Sequence, residues 1–338
     1  MTDTPPFLPM EAKSVDALPT DPGWQFEPKW DGFRCLAVGR GDGVSLFAKS
    51  GKPLHRFFPE VQANLAAMDA GAFILDGEMV IPGGGAFSFE LLQQRLHPAE
   101  SRIRKLAAET PATFVAFDLP GVDGRDFTGE PLTVRRDLLE AFLPKPLPGI
   151  RLSPYTRDRA EAQGWLDHAG GSLDGVIAKR LDGRYLPEQR AMLKVKRIRS
   201  ADCVIGGFRY ATGSKLVGSL LLGLYNDEGL LDHVGFTSGF VGIDKPALTA
   251  QLEALSGEGF TGNAPGGPSR WSTERTETYQ PLKPELVVEV SYDHVSGGRF
   301  RHGTKILRWR PDKSPRQCTY DQIAPSGATV DVVGKVLG

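Results

Sequence analysis

The chain reads as an α+β protein of two domains, the first mixing strands and helices and the second almost all strand. Three observations predict this. At 338 residues it is too long for one average domain and comfortable for two. Up to Arg199, apolar runs of strand type alternate with stretches of helical spacing. Beyond Arg199 come short strands at Asp202 to Tyr210, Leu216 to Tyr225, Leu230 to Phe236, Glu285 to Tyr292 and Lys305 to Arg310, with one helix from Asp244 to Leu255 and Gly/Pro/Ser-rich loops. That pattern predicts a small Greek-key β-barrel of the OB-fold kind. The boundary near Ser200 divides the chain into residues 1–199, 200–325 and a C-terminal tail, 326–338.

In the first domain, Phe26 and the run Phe33, Cys35, Leu36 and Val38 read as strands on either side of Lys29-Trp30-Asp31-Gly32, where the glycine permits a close backbone approach. Arg40 to Gly43 is a hairpin turn into Val44 to Phe47, followed by the basic loop Ala48 to Lys52. Phe58, Val61, Leu65 and Met68 fall at helical spacing. Phe73 to Val80 is a strand carrying Asp76 and Glu78 on one face, and acids inside an apolar strand are costly unless paired or on metal. Glu78 is thereby a metal-ligand candidate, with a salt bridge to a neighbouring strand as the ordinary alternative. Pro82 to Gly85 is a flexible loop, Ser88 caps a helix running to Leu96, and Phe114 to Leu119 is a strand. Leu132 to Leu143 and Ala160 to His168 are helices, and Leu173 to Arg180 and Met192 to Arg197 are strands. The last puts Lys194 and Lys196 on one face, which either grips phosphate or is solvated. Gly257 to Ser269 is the least ordered loop expected.

Composition narrows the function classes. A net charge of -1 gives no global pull on nucleic acid, so such a partner has to be held by local basic patches. No apolar run approaches a membrane span, and Met1 to Pro9 lacks the regions of a signal peptide, so a cytoplasmic protein is expected. Cys35, Cys203 and Cys318 form no CxxC pair, which argues against a disulfide framework and a zinc site. The chain has no GxGxxG or GxxxxGK[ST] loop, which argues against an ordinary α/β metabolic enzyme.

Lys29-x-Asp31-Gly32-x-Arg34, Asp76-Gly77-Glu78, Phe114 to Asp118, Asp174-Gly175-x-x-x-Lys179, Lys194-x-Lys196 and Arg310-x-Asp312-Lys313 occur in that order. Each motif alone is weak. The ordered series resembles that of the covalent nucleotidyltransferases: ATP-dependent DNA ligases, RNA ligases and mRNA capping enzymes. With the two-domain length, His97 to Arg104, Asp174 to Asp182, Met192 to Lys196 and Phe300 to Asp312 make it most similar to the small bacterial C-type (LigC-like) ATP-dependent DNA ligases, over about Phe26 to Ile323.

The resemblance implies a nucleotidyltransferase (adenylation) domain of antiparallel sheets and flanking helices, then the OB-fold domain. It implies ATP-dependent sealing of nicks in duplex DNA, in repair, with Mg²⁺, for which Mn²⁺ is an admissible substitute. Lys29 would attack the α-phosphorus, made neutral by burial beside Arg34 and a bound metal. Asp31, Glu78 and Asp174 would hold that metal. Lys194 and Lys196 would contact the α-phosphate, and Arg34 the ribose and later the nick. Phe117 would stack on adenine, for which core packing is the competing role; Glu27 would read the base edge, and Lys179 would be a further cofactor contact. Arg310, Asp312 and Lys313 would orient pyrophosphate, with a hinge around Arg197 to Ala201. Lys49, Lys52 and Arg34 would meet nucleic acid, and the clusters Lys194 to Arg199 and Arg299 to Arg316 would grip the duplex backbone. The implied partners are nicked duplex DNA and a gap-filling polymerase or primase-polymerase. The ligase itself would be a monomer, nucleoid-associated when on DNA.

Two positions depart from the family pattern. Asp174 stands where glutamate is usual, one methylene shorter. Ala48-Lys49-Ser50-Gly51 stands where many ligases read Ser-Arg-x-Gly, a point charge in place of a bidentate fork. An RNA ligase or GTP-using capping enzyme is the nearest rival reading. A nucleic-acid binding module without chemistry is the rival of another class, and the intact Lys29, Glu78, Lys194, Lys196 and Arg310 stand against it.

Overall fold

The computed structural model describes residues 4–41, 43–83, 85–170, 173–240, 243–266, 278–324 and 331–337. Strands of the first part are β1 Ala12–Ser14, β2 Trp24–Trp30, β3 Phe33–Arg40, β4 Gly43–Ala48, β5 Phe73–Val80, β6 Pro82–Gly83, β7 Ala86–Phe87, β8 Thr113–Val122, β9 Arg125–Asp126, β10 Ile150–Leu152, β11 Leu173–Arg180 and β12 Met192–Lys196. Its helices are α1 Pro59–Ala66, α2 Phe89–Gln94, α3 Glu100–Glu109, α4 Leu132–Phe142 and α5 Arg159–Asp167. The second part has β13 Arg199–Tyr210, β14 Val217–Tyr225, β15 Leu231–Gly239, α6 Lys245–Ala254, β16 Gln280–Pro281, β17 Val287–Tyr292, β18 Val295–Ser296, β19 Arg299–Phe300 and β20 Thr304–Trp309; α7 Asp331–Leu337 follows. Contacts gather residues 1–197 with 326–338 into one unit and residues 198–325 into another.

Period-two alternation builds the first unit. In β2, Gln25, Glu27 and Lys29 share one face, while Phe26 and Trp30 turn into a core with Val176, Ala178 and Val195 and with Ala162 and Trp165 of α5. The four-stranded sheet runs β1-β12-β11-β2, antiparallel except where β1 joins β12 in parallel. The six-stranded sheet runs β10-β8-β5-β3-β4 with β9 on β8, and β10 alone joins in parallel. Cys35, Leu75 and Phe114 of that sheet are buried with Val61 and Leu65 of α1 and Leu139 of α4. Val332, Val333 and Val336 of α7 complete the α5-side core, so part of the expected tail is a packed helix of the first unit.

One local reading changes. Pro82 to Gly85, expected as a loop, contributes to a tight hairpin in which Pro82 pairs with Phe87 and Gly83 with Ala86; Gly84 lies outside the described residues. The turn at Arg40 to Gly43 joins β3 to β4 as expected, although Asp42 lies outside the described residues. Ser88 does cap α2, its hydroxyl accepting the Leu91 N–H at 3.3 Å.

In the second unit the pairing runs β14-β15-β20-β17-β13 and returns through β13–β14, a closed five-strand cycle with β16 added to β13. Closure of this kind removes sheet edges and marks an OB-like domain. Its core holds Val204, Phe208, Leu221, Leu222, Val288 and Val290, with Leu248 and Leu252 of α6. The loop expected to be least ordered lies partly outside the described residues, from 267 onward.

Candidate active site

A cavity of about 640 Å³ opens between the two sheets of the first unit. The four-stranded sheet supplies Glu27, Lys29, Ile177, Lys179, Met192 and Lys194 to its walls, and the six-stranded sheet supplies Arg34, Glu78 and Phe117. Alternation explains this grouping, because Glu27 and Lys29 are two apart on β2, as are Ile177 and Lys179 on β11 and Met192 and Lys194 on β12.

Lys29 Nζ lies 2.5 Å from Asp174 Oδ2, and Lys196 Nζ lies 3.2 Å from the same oxygen. The strand register accounts for this convergence. Gly175 pairs with Lys29 on one side and Lys196 on the other, and the register slips between Leu173 and Gly175, leaving Asp174 as a bulge whose carboxylate is re-aimed at both lysines. Gly175 has φ +146°, and a Cβ there would sit 2.0 Å from the Val195 carbonyl oxygen. Burial pushes the Asp174 carboxyl up, but the charges of Lys29 and Lys196 and their hydrogen bonds outweigh it and hold it below its ordinary value. Lys194 is lowered, by burial first and then by the charges of Lys29, Lys196 and Lys49.

On the opposite sheet, Asp76 is fully buried and accepts Arg34 Nε and Nη2, each at 2.6 Å. Tyr185 donates its hydroxyl to the same carboxylate at 2.6 Å, and Arg34 also reaches the Met10 carbonyl at 3.3 Å. The two acids of β5 therefore divide their tasks. Asp76 is an ion pair, while Glu78 faces the cavity and, among the described residues, has no ion pair of its own. Burial raises the Glu78 carboxyl to about 7 against the lowering charges of Arg34 and Lys29, with Asp31 and Asp76 raising it further. Among the described residues no three His, Cys, Asp or Glu side chains gather closely enough to hold a metal ion, so Asp31, Glu78 and Asp174 do not form one group here. Oxygen donors still suit Mg²⁺, which retains water and takes one or two carboxylates plus phosphates. A desolvated carboxyl facing the cavity fits such an ion.

Phe117, 8% exposed, lines the cavity with the Arg34 guanidinium 4.6 Å and Lys179 Nζ 4.7 Å from its ring centroid. Behind it runs a chain of buried charge. Arg135 of α4 donates to both oxygens of Asp118, at 2.8 and 3.1 Å; Lys179 lies 3.9 Å from Asp118 and 2.8 Å from Glu27, which also accepts Gln25 Nε2 at 2.9 Å.

At the cavity mouth Lys49, 58% exposed, pairs with Glu11 at 2.8 Å. Lys52 is exposed on the loop after β4 and does not line the cavity. Arg310, Asp312 and Lys313 belong to the second unit, where Arg310 and Lys313 are both paired to Asp202. Sequence reasoning missed Met10 to Ser14, which line one wall through the β1–β12 pairing, and also Arg135, Tyr185 and Asp202. A three-residue strand is too short for periodicity to reveal it.

Fold and site together define a two-domain covalent nucleotidyltransferase. The ATP dependent DNA ligase domain matches residues 6–196 and the ATP dependent DNA ligase C terminal region matches residues 213–313. The chain belongs to the ATP-dependent DNA ligases. It is 43% identical over 336 residues to DNA ligase C2 of Mycolicibacterium smegmatis and 42% identical over 338 residues to DNA ligase C of Mycobacterium tuberculosis, with 94% of each chain covered in both cases. A solved structure named Pmar-Lig_Pre shares the fold, with a TM-score of 0.59 at 18% identity, covering 89% of this chain and 68% of that one. No helix among the described residues is long and apolar enough to cross a membrane.

Proposed function

We propose that Lys29 is the nucleophile of an ATP-dependent nick-sealing reaction and that the cavity between the two sheets holds the adenylate. The observation that carries this is that Lys29, which lines the cavity, converges with Lys196 on Asp174, in a chain that is an ATP-dependent DNA ligase. In the first step the Lys29 amine forms a P–N bond to the α-phosphorus as the bond to pyrophosphate breaks. Lys194 and Lys196 lie on the face that meets the α-phosphate, where fixed positive charge offsets the charge developing on its oxygens. Arg310 and Lys313 act on the pyrophosphate. Phe117 offers its ring to the base, and Glu27, fixed by Lys179 and Gln25, offers carboxylate oxygens to the base edge. Glu78, a desolvated carboxyl facing the cavity, would hold a divalent cation, Mg²⁺ by donor type, which supplies charge neutralisation at the phosphates when bound; Asp31 and Asp174, which do not gather with it into one group, would reach that ion through its waters.

In the second step a 5′-phosphate oxygen at a nick attacks the lysyl-AMP phosphorus and Lys29 departs. In the third the neighbouring 3′-hydroxyl attacks the 5′-phosphate and AMP leaves, closing the strand. Lys49 and Arg34 would contact the phosphates of that strand. The reaction consumes nicks with abutting ends, so a gap-filling polymerase or primase-polymerase is the class of enzyme that must supply its substrate in repair. Incubation of the protein and its Lys29→Ala variant with α-labelled ATP and Mg²⁺, a denaturing gel, and a chase with nicked duplex DNA test this reading. The expected result is a covalent label on the unmodified protein alone, lost as sealed product forms. Lack of label after pyrophosphate pretreatment refutes the reading, and a label chased only by nicked RNA or a hybrid reassigns the substrate.

A further inference from the structure

In the second unit, Asp202 near the start of β13 is 7% exposed and makes no contribution to the steps above. Its carboxylate accepts Arg310 Nη1 at 2.8 and 3.0 Å and lies 3.2 Å from Lys313 Nζ. One buried acid thus holds two cations that sit three residues apart in a turn closed by Lys313 N–H donating to the Arg310 carbonyl at 3.1 Å. Asp202 is itself fixed at its backbone. Its N–H donates to Gln322 Oε1 at 2.9 Å and its carbonyl accepts Gln322 Nε2 at 3.1 Å. Asp312 covers the other edge of Arg310, meeting Nε at 3.0 Å and Nη2 at 2.9 Å, but it is 64% exposed. An exposed ion pair costs little to break, whereas breaking one to a buried acid costs much more.

We propose that Asp202 is the positioning residue that presents Arg310 and Lys313 as one rigid pair to the pyrophosphate end of ATP, and that the Arg310 edge covered by Asp312 is the one surrendered to phosphate. The proposal rests on the reading that these cations act on the leaving group. A fork held on one side by a buried acid and covered on the other only by the exposed Asp312 suits bidentate phosphate recognition. Lys313, sharing the same acid, is kept beside it.

The test separates steps with and without pyrophosphate. Single-turnover labelling of Lys29 by α-labelled ATP, its reversal by added pyrophosphate, and sealing of a nick that already carries AMP are measured for the unmodified protein, Asp202→Asn and Asp202→Glu. For Asp202→Asn, labelling and reversal should fall together by about tenfold or more, because both cross one transition state, while sealing of the adenylated nick stays within about threefold. Asp202→Glu should recover part of the loss. Equal losses in all three assays would make Asp202 merely structural, and unchanged labelling would make it irrelevant; either overturns the proposal. If Asp202→Asn does not fold, Gln322→Ala loosens the anchor without altering charge and must show the same selective loss. Failure of the unmodified protein to label would instead overturn the role of Lys29.

Discussion

Arg135 is 1% exposed and Asp118 likewise, so replacing Arg135 with methionine strands a carboxylate in a dry interior. Burial alone would raise the Asp118 carboxyl; the charges of Arg135 and Lys179, with hydrogen bonds from Arg135 and the Leu119 N–H, overcome this and hold it below its ordinary value. Removing one partner of such a pair costs about 3–5 kcal/mol. The lower end applies here, because Lys179 remains 3.9 Å away and the Leu119 N–H still donates at 3.0 Å. For a unit of this size that converts to roughly 6–12 °C in the melting temperature. Calorimetry of Arg135→Met, following the transition of the first unit, reads it directly.

The pH dependence carries the sign. A carboxyl held low in the folded state contributes stability that is present above its unfolded value, near 3.9, and lost as pH falls through the folded value. Without Arg135 the carboxyl rises, protonates earlier, and escapes its penalty as the solution is acidified. The gap between the two proteins should therefore be widest near neutral pH and narrow toward pH 4. Asp118→Leu added to Arg135→Met should restore about half the loss or more, since an apolar pair replaces the orphaned charge; the carbonyls of Glu130 and Gly183, which Arg135 also bonds, stay unpaired. A gap that does not change with pH, or a double variant no better than the single, would refute the reasoning.

Gly175→Ala, at φ +146° with a Cβ 2.0 Å from the Val195 carbonyl, should push β11 from β12, move Asp174 off both lysines, and slow Lys29 labelling by roughly 10²-fold; a normal labelling rate would show that the bulge does not aim Asp174. His233 is lowered to about 3 by burial and then by the charges of Arg299 and Arg209, so its neutral form contributes stability that is present above about 6.5 and lost toward pH 3, by up to about 1.4 kcal/mol per pH unit. Replacing it with asparagine should flatten the acid limb of the second unit's melting curve against pH, and an unchanged limb would count against that assignment.

Part of the cavity is legible in alternation and the rest only in the ordered motifs. Period-two spacing puts Asp76 with Glu78 and Lys194 with Lys196 on shared faces, while Glu27, Lys29, Phe117 and Lys179 are legible as site residues through the family resemblance; Glu27, Lys29, Glu78, Phe117, Lys179 and Lys194 all line the cavity. Helices with several apolar positions at regular spacing, such as α1 and α4, were equally legible. The helix α3 was not, since Ile103 is its one buried residue and Ala99 gives it no side-chain cap. Nor was α7, whose Val332, Val333 and Val336 fill a core made by residues far away in sequence.

What stayed hidden is the choice of partner. Asp76 and Glu78 occupy equivalent positions on one strand face, yet Asp76 takes Arg34 and Tyr185 while Glu78 faces the cavity. That division depends on Tyr185, 109 residues away, which no local spacing reveals. Asp174 makes the same point within a single strand. Its neighbour Gly175 is read from sequence as a permissive residue, but only pairing with two strands at once turns that freedom into a bulge and points the carboxylate at Lys29 and Lys196. Local pattern decides which face a charge occupies; the tertiary register decides which charge it meets, and in this site the second choice sets the environment of the nucleophile.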